Sequence, residues 1–158
     1  MALNEKMKNK YRRIIRVMMV VLAAVLLVMG LAVPIANNAV AMRDSRALKD
    51  LTSTEIVTVL ESTSLAGRFF GSGGHMQYFA ALLVRSDRSL EELNAYYAAF
   101  NKSAQLYRVE VQQGQEITVL SDETLKFRET VGEKGYYIVY SIRQGGNVAQ
   151  WWLDMDVR

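Results

Sequence analysis

A run of small residues around the chain's only histidine is the first place where the sequence could carry chemistry. Residues 71–75 read GSGGH, so His75 lies three positions after Ser72. An imidazole beside a hydroxyl can act as a general base for a nucleophile, as in a hydrolase-like pocket. A phosphate-binding loop, in contrast, needs glycines followed by Lys-Ser/Thr and the start of a helix. An apolar run follows His75 instead, so we interpret the glycines as a turn before a strand.

Two carboxylates near the C-terminus are the second candidate. Asp154 and Asp156 fall in an alternating, strand-like stretch, which places them on one strand face about 7 Å apart. Such a pair could contribute to a Ca²⁺ site, which takes about six to eight oxygen ligands. The surrounding sequence lacks the dense Asp/Asn/Gly loop that would supply the others. We therefore expect a solvated strand face, with no metal site and no cofactor motif.

Aromatic side chains offer a third possibility, the recognition of a partner. Alternation sends Tyr136 and Tyr137 to opposite faces of one strand, and Trp151 and Trp152 to opposite faces of another. We expect Tyr137 and Trp152 on the outer face of the sheet, with Arg143 nearby. Exposed aromatic side chains suit contacts with protein, peptide or glycan. The alternative is that they brace the sheet as a cross-strand pair.

The elements that must position these residues begin with a long apolar segment. The 20 residues from Val17 to Ala36 carry no charge, and a helix of that length spans about 30 Å, the thickness of a bilayer's hydrocarbon core. The segment is apolar on every side, so it offers no amphipathic face to a soluble core. We predict a transmembrane helix at residues 17–36 that contacts membrane lipid.

The charges that flank this segment predict its orientation. Residues 1–16 hold six basic side chains and one acidic side chain, a net charge of +5. The positive-inside rule places this tail in the cytoplasm and residues 43–158 outside the plasma membrane. The chain beyond residue 16 carries 13 basic and 15 acidic side chains. We therefore expect no nucleic-acid partner.

The sequence leaves open whether the apolar segment is retained. Pro34 is expected to end the helix, and Ala39 and Ala41 have the A-x-A spacing of a signal-peptidase site. Cleavage after residue 41 would release a secreted domain. The uncharged run is longer than the roughly 7–15 residues of a signal-peptide core, so the sequence favours a retained signal-anchor.

Residues 43–158 contain the patterns of a small folded domain, preceded by a polar juxtamembrane stretch over residues 43–55. Capping-box spacing predicts two helices, one beginning near Thr52 and one beginning at Ser89. Apolar or alternating stretches between turn residues predict strands, and the spacing of the later strands predicts a meander of hairpins. The predicted strands cover residues 75–86, 106–113, 116–120, 124–130, 136–144 and 147–158.

The strand patterns also predict how the sheet is covered. Tyr136, Ile138, Tyr140 and Ile142 share one apolar face of their strand, so we expect the helices to pack on that face. The predicted fold class is α+β. A single N-terminal transmembrane helix is followed by a small domain with a mostly antiparallel sheet of about five strands packed on two helices.

Three functions are compatible with these features. We favour a non-enzymatic, membrane-tethered extracytoplasmic domain that binds a protein or envelope ligand. One alternative is a membrane-anchored or secreted enzyme, hydrolase-like, with a pocket near His75. Another is a single-span subunit of a membrane complex. The architecture recurs in many unrelated bacterial envelope proteins, so it does not choose among the three.

Overall fold

The computed structural model describes residues 2–52, 55–67, 69, 76–103, 105–120 and 124–144. These ranges contain helices and antiparallel strands, which confirms the α+β class. The helices are α1 (Ala2–Leu51) and α2 (Leu90–Ala98). The strands are β1 (Thr58–Gly67), β2 (Gln77–Arg85), β3 (Leu106–Val111), β4 (Glu116–Ile117), β5 (Leu125–Lys126) and β6 (Tyr136–Gln144).

The main sheet has four antiparallel strands in the order β1-β2-β6-β3, and β4 pairs with β5 in a separate short hairpin. The predicted meander is wrong, because β6 lies between β2 and β3 instead of following β5. The middle residues of β2 and β6 are buried on both faces, so these two strands take the centre of the sheet. The predicted strand over residues 147–158 lies outside the described residues.

Helix α1 runs without interruption past Pro34, where the sequence led us to expect its end. A proline inside a helix removes one backbone hydrogen bond, but prolines are more frequent in membrane-spanning helices than in soluble ones. The stretch predicted as polar and juxtamembrane, residues 43–55, is helical up to Leu51, where α1 ends. By length and composition, α1 is a helix that could cross a membrane.

Burial divides α1 into two parts. Between Lys10 and Ala36, the side chains with described burial are exposed, apart from the half-buried Gly30. From residue 37 onward, one helical face is buried against the sheet. Its buried residues recur every three or four positions, as the helical period requires, with the neighbours Asp44 and Ser45 both at one of these positions: Asn37, Ala41, Asp44, Ser45 and Leu48.

Each face of the main sheet has its own core. On one face, Leu82 and Val139 pack with Leu48 of α1 and with residues of α2. On the other face, Ile138 packs with Phe127 and other residues of the segment that contains β4 and β5. The helices thus cover the face opposite to the one we predicted. Alternation could not assign the faces, because both faces of the central strands are apolar.

Of the two predicted helix starts, the one at Ser89 is confirmed and the one at Thr52 is wrong. At Ser89 the capping box is present: its Oγ accepts from the backbone N–H of Glu92, and its own N–H donates to the Glu92 carboxylate. At Thr52 the prediction is wrong, because the Thr52 hydroxyl donates to the carbonyl of Leu48 in the last turn of α1. β1 begins at Thr58, consistent with the β-branched residues Val57–Val59.

Candidate functional site

An ion pair joins α1 to the central strand β6. Nε and Nη2 of Arg143 each lie 2.9 Å from Oδ2 of Asp44. The two side chains are only 25% and 12% exposed, so water screens their attraction less than it would on the surface. Removing either partner would leave the other charge poorly solvated. The pair therefore holds the helix against the sheet.

Tyr78 on β2 extends this connection. The Arg143 guanidinium carbon lies 5.0 Å from the centroid of the Tyr78 ring, a cation–π distance. The Tyr78 hydroxyl donates to Oδ1 of Asn37 at 3.0 Å. Asn37 and Asp44 are two helical turns apart on the same face of α1. We call these four residues, Asn37, Asp44, Tyr78 and Arg143, the junction cluster.

The junction cluster fixes structure and offers no activated group. Its charges are paired, and among the described residues no buried side-chain nitrogen or oxygen lacks a hydrogen-bond partner. Arg143 was predicted as part of a contact surface for a partner, but its guanidinium is engaged within the domain by Asp44 and Tyr78. Because these contacts occupy the guanidinium, Arg143 is poorly suited to bind a partner.

The structure also relocates Tyr137, the second residue of the predicted contact surface. Tyr137 is half-buried against the core on the helix-covered face, so it does not lie on an outer face as expected. Its hydroxyl donates to the backbone carbonyl of Arg88 at 2.9 Å. Four other predicted site residues, His75, Trp152, Asp154 and Asp156, lie outside the described residues.

An open groove of about 540 Å³ lies between α1 and β1. β1 is an edge strand, and within the described part of the chain it pairs only with β2. An edge strand presents backbone N–H and C=O groups to which a further strand can bind. The groove is lined on the helix side by Asn38, Met42, Ser45 and Arg46, and on the strand side by Ser62, Thr63, Ser64 and Leu65.

The lining of this groove is polar and carries one positive charge. Arg46 is exposed, and no described carboxylate forms an ion pair with it. Residues 62–64 line the strand side, and the register with β2 places the hydroxyl side chains of Ser62 and Ser64 on the face that α1 covers. The arrangement can bind an extended main chain along β1 and an acidic group near Arg46. The sequence did not reveal this site, because β1 was predicted to begin as a helix.

A second cavity, of about 410 Å³, lies on the opposite face of the sheet and includes Tyr140 and Arg108 in its lining. The Tyr140 hydroxyl donates to Oε1 of Glu110 at 2.5 Å. Burial, and then this hydrogen bond to the carboxylate, raises the pKa of Tyr140 to about 12. The phenol therefore stays protonated at neutral pH and is not available as a base or nucleophile.

Within the ranges that the structure describes, no group of three or more His, Asp or Glu side chains could hold a metal ion. Sequence reasoning missed Asp44 and Tyr78, although Asn37, Ala41, Asp44 and Leu48 recur at helical spacing. That spacing was a usable signal for a docked helix face. No family model, no curated protein and no solved structure matches the chain.

Proposed function

We propose that the chain is a single-span membrane protein whose α+β domain lies outside the cytoplasm and binds an extended segment of a partner protein. The observation that carries the anchoring is the apolar part of α1. An 18-residue window there has a mean hydropathy of 2.8, and none of it is buried. Leaving such a surface in water would cost about 25 cal/mol per Å² of apolar area, and insertion into lipid removes that cost.

A retained anchor is supported by the packing around the alternative cleavage site. Ala41 is buried in a small cluster with Met76 and Tyr78, inside a continuous helix. Cleavage after residue 41 would require this turn to unfold and would separate Asn37 from Tyr78. The basic tail of residues 1–16 supports a cytoplasmic N-terminus.

The groove between α1 and β1 is the proposed binding site. An extended segment would add to the edge of β1 through main-chain hydrogen bonds, the usual mode of strand addition. Arg46 favours a segment that carries a carboxylate at the matching position. This site replaces the predicted surface around Tyr137 and Arg143, whose polar groups are engaged by other residues of the domain. The hydrolase-like and membrane-subunit alternatives stay predictions of the sequence.

The anchoring and orientation can be tested with single cysteines, because the natural chain has none. Lys10→Cys reports on the tail and Lys134→Cys on the domain, and both side chains are exposed. We expect an impermeant maleimide to label Lys134→Cys in intact cells and Lys10→Cys only after permeabilisation. We also expect alkaline carbonate to leave the protein in the membrane. Carbonate extraction, or labelling in the reverse order, would overturn the proposal.

The binding site can be tested by photocrosslinking in cells. A photoreactive residue at Ser62 lies in the groove, because Ser62 pairs with Leu82 of the helix-covered face, and one at Val111 lies on β3 at the opposite edge of the sheet. We expect a discrete adduct from position 62 only. Arg46→Glu should reduce its yield about tenfold, equivalent to about 1.4 kcal/mol of binding. Lys49→Glu, an exposed change on α1 outside the groove, should leave it unchanged. Equal effects of the two charge changes would reject the groove.

A further inference from the structure

Docking of α1 onto the sheet begins where its apolar segment ends. The apolar run that begins at Val17 stops at Ala36. The next residue, Asn37, is 3% exposed and accepts the hydrogen bond from Tyr78. One helix therefore passes from the apolar segment into the domain with no residues available as a spacer.

The contacts along α1 give the direction in which it crosses the sheet. Asn37 contacts Tyr78 near the beginning of β2, whereas Leu48 belongs to the buried cluster of Val84 near its end. Eleven residues of helix rise about 17 Å, and six residues of strand extend about 20 Å. The two elements therefore run side by side in the same direction, and the beginning of β2 is nearest to the apolar segment.

The register identifies the other residues at this end of the sheet. Gly67, Gln77 and Gln144 lie opposite one another on β1, β2 and β6. At the other end, Arg85 lies opposite Tyr136. We call the end at Gln77 the proximal end and the end at Arg85 the distal end. Lys102 precedes β3, whose first residue, Leu106, pairs with Ile142 near the proximal end.

We propose that the proximal end of the domain rests on the lipid headgroup layer of the membrane that α1 spans. This inference rests on the proposed anchoring by α1. A helix that enters the domain one residue after the hydrocarbon core leaves no distance between the sheet and the membrane surface. The side chains at this end also suit that environment, since Lys102 is exposed and Leu106 is 49% exposed. A cation beside an apolar side chain fits an anionic headgroup layer.

We call this contact of the proximal end with the headgroup layer the seating of the domain. The seating restricts which partner segments can reach the groove. Asn38 and Met42, on its helix side, are two and six residues beyond the apolar segment, about 3 and 9 Å along the helix. The headgroup region is about 5–7 Å thick on each side of the hydrocarbon core, so a partner segment that fills the groove lies beside the headgroups and just above them. The occupant that fits is a juxtamembrane segment of another membrane protein.

The seating can be measured in the full chain reconstituted in liposomes that contain a Ni²⁺-chelating lipid. A nitroxide is attached to Lys102→Cys at the proximal end, or to Lys134→Cys beside the distal end. The two positions differ in height by about 25 Å, so we expect headgroup Ni²⁺ to relax the label at 102 at least about fivefold more strongly. Equal relaxation at the two positions would overturn the seating.

An insertion variant provides the matched control. Seven polar, helix-forming residues inserted after Ala36 lift the domain by about 10 Å and rotate it by only about 20°. We expect the relaxation at 102 to fall toward that at 134, and an unchanged value would also overturn the seating. If carbonate extracts the parent protein from the liposomes, the anchoring itself is wrong, and the proposed function fails together with this inference.

Discussion

Asp44 and Arg143 are 99 positions apart in the chain, yet two guanidinium nitrogens of Arg143 lie 2.9 Å from the same carboxylate oxygen of Asp44. The pair connects the helix that carries the apolar segment to a central strand of the sheet. Because both side chains are largely buried, the position of the domain is coupled to the position of α1. This coupling is the basis for the predictions about the junction.

The first prediction concerns the strength of this pair. We expect Arg143→Met to lower the free energy of unfolding by about 2 kcal/mol, because the Asp44 carboxylate loses its partner in a poorly solvated site. Urea unfolding of the full chain in detergent, followed by near-ultraviolet circular dichroism, measures the loss. Arg88→Met is the control, since the Arg88–Glu92 pair is exposed and is worth about 0.5 kcal/mol or less. Equal losses would show that burial does not strengthen the Asp44 pair.

The second prediction concerns the helical register of the docked face. One alanine inserted after Met42 rotates the following residues by about 100° relative to the preceding ones. Asn37 and Leu48 can then no longer face the sheet together, and we expect a loss of at least about 3 kcal/mol in unfolding free energy. The same insertion after Ala36 leaves the docked face intact, so its loss should stay below about 0.5 kcal/mol. Similar losses from both insertions would exclude a register-dependent interface.

The third prediction concerns the apolar contact one helical turn beyond Asp44, at Leu48. Leu48 is fully buried against the helix-covered face of the sheet. We expect Leu48→Ala to cost about 3 kcal/mol, through lost burial and the cavity that remains. Met42→Ala changes an exposed side chain of the same helix and should cost about 0.5 kcal/mol or less. Thermal unfolding of both variants measures these losses. A loss for Leu48→Ala no larger than that for Met42→Ala would mean that α1 is not packed against the sheet at Leu48.

The fourth prediction concerns stability at high pH. The pKa of Tyr140 is raised from 10.0 to about 12 by burial and by the hydrogen bond to Glu110. The folded state thus holds this proton more tightly than the unfolded state, so the contribution to stability is complete below pH 10 and is lost between pH 10 and 12. Burial also raises the pKa values of Tyr97 and Tyr107, so part of the decline belongs to them.

The Tyr140→Phe variant isolates the contribution of this one phenol. We expect its unfolding free energy to fall less steeply between pH 10 and 12 than that of the parent. Between pH 7 and 9 the two proteins should differ only by a constant offset, which serves as the internal control. Parallel curves above pH 10 would contradict the assigned environment of Tyr140.

Local signals were sufficient for part of the fold. Hydropathy and capping depend on neighbouring residues. The sequence therefore predicted the apolar helix over Val17 to Ala36 and the helix that begins at Ser89. The long apolar strand β2 was predicted for the same reason. These elements account for the α+β class and for a helix able to span a membrane.

The helical spacing from Asn37 to Leu48 could have indicated a docked face, but the partners in the junction cluster and the groove could not be predicted from local patterns. Asn37 and Asp44 are polar residues on a helix face, and their burial is favourable only with Tyr78 and Arg143 as partners. Those partners are 41 and 99 positions away. The exposed edge of β1 depends on the order of strands in the sheet, and a sequence with two apolar strand faces does not specify that order.

The central claim is that one continuous helix crosses the lipid and then carries the domain. A nitroxide scan of positions 17–50 in liposomes, using single cysteines and collisions with oxygen or a water-soluble nickel complex, tests it most directly. We expect uniform access to oxygen over 17–36, and from 37 onward a period of about 3.6 residues with minima at Ala41, Asp44 and Leu48. Access of the nickel complex throughout 17–36, or a profile without that period after residue 37, would contradict the claim.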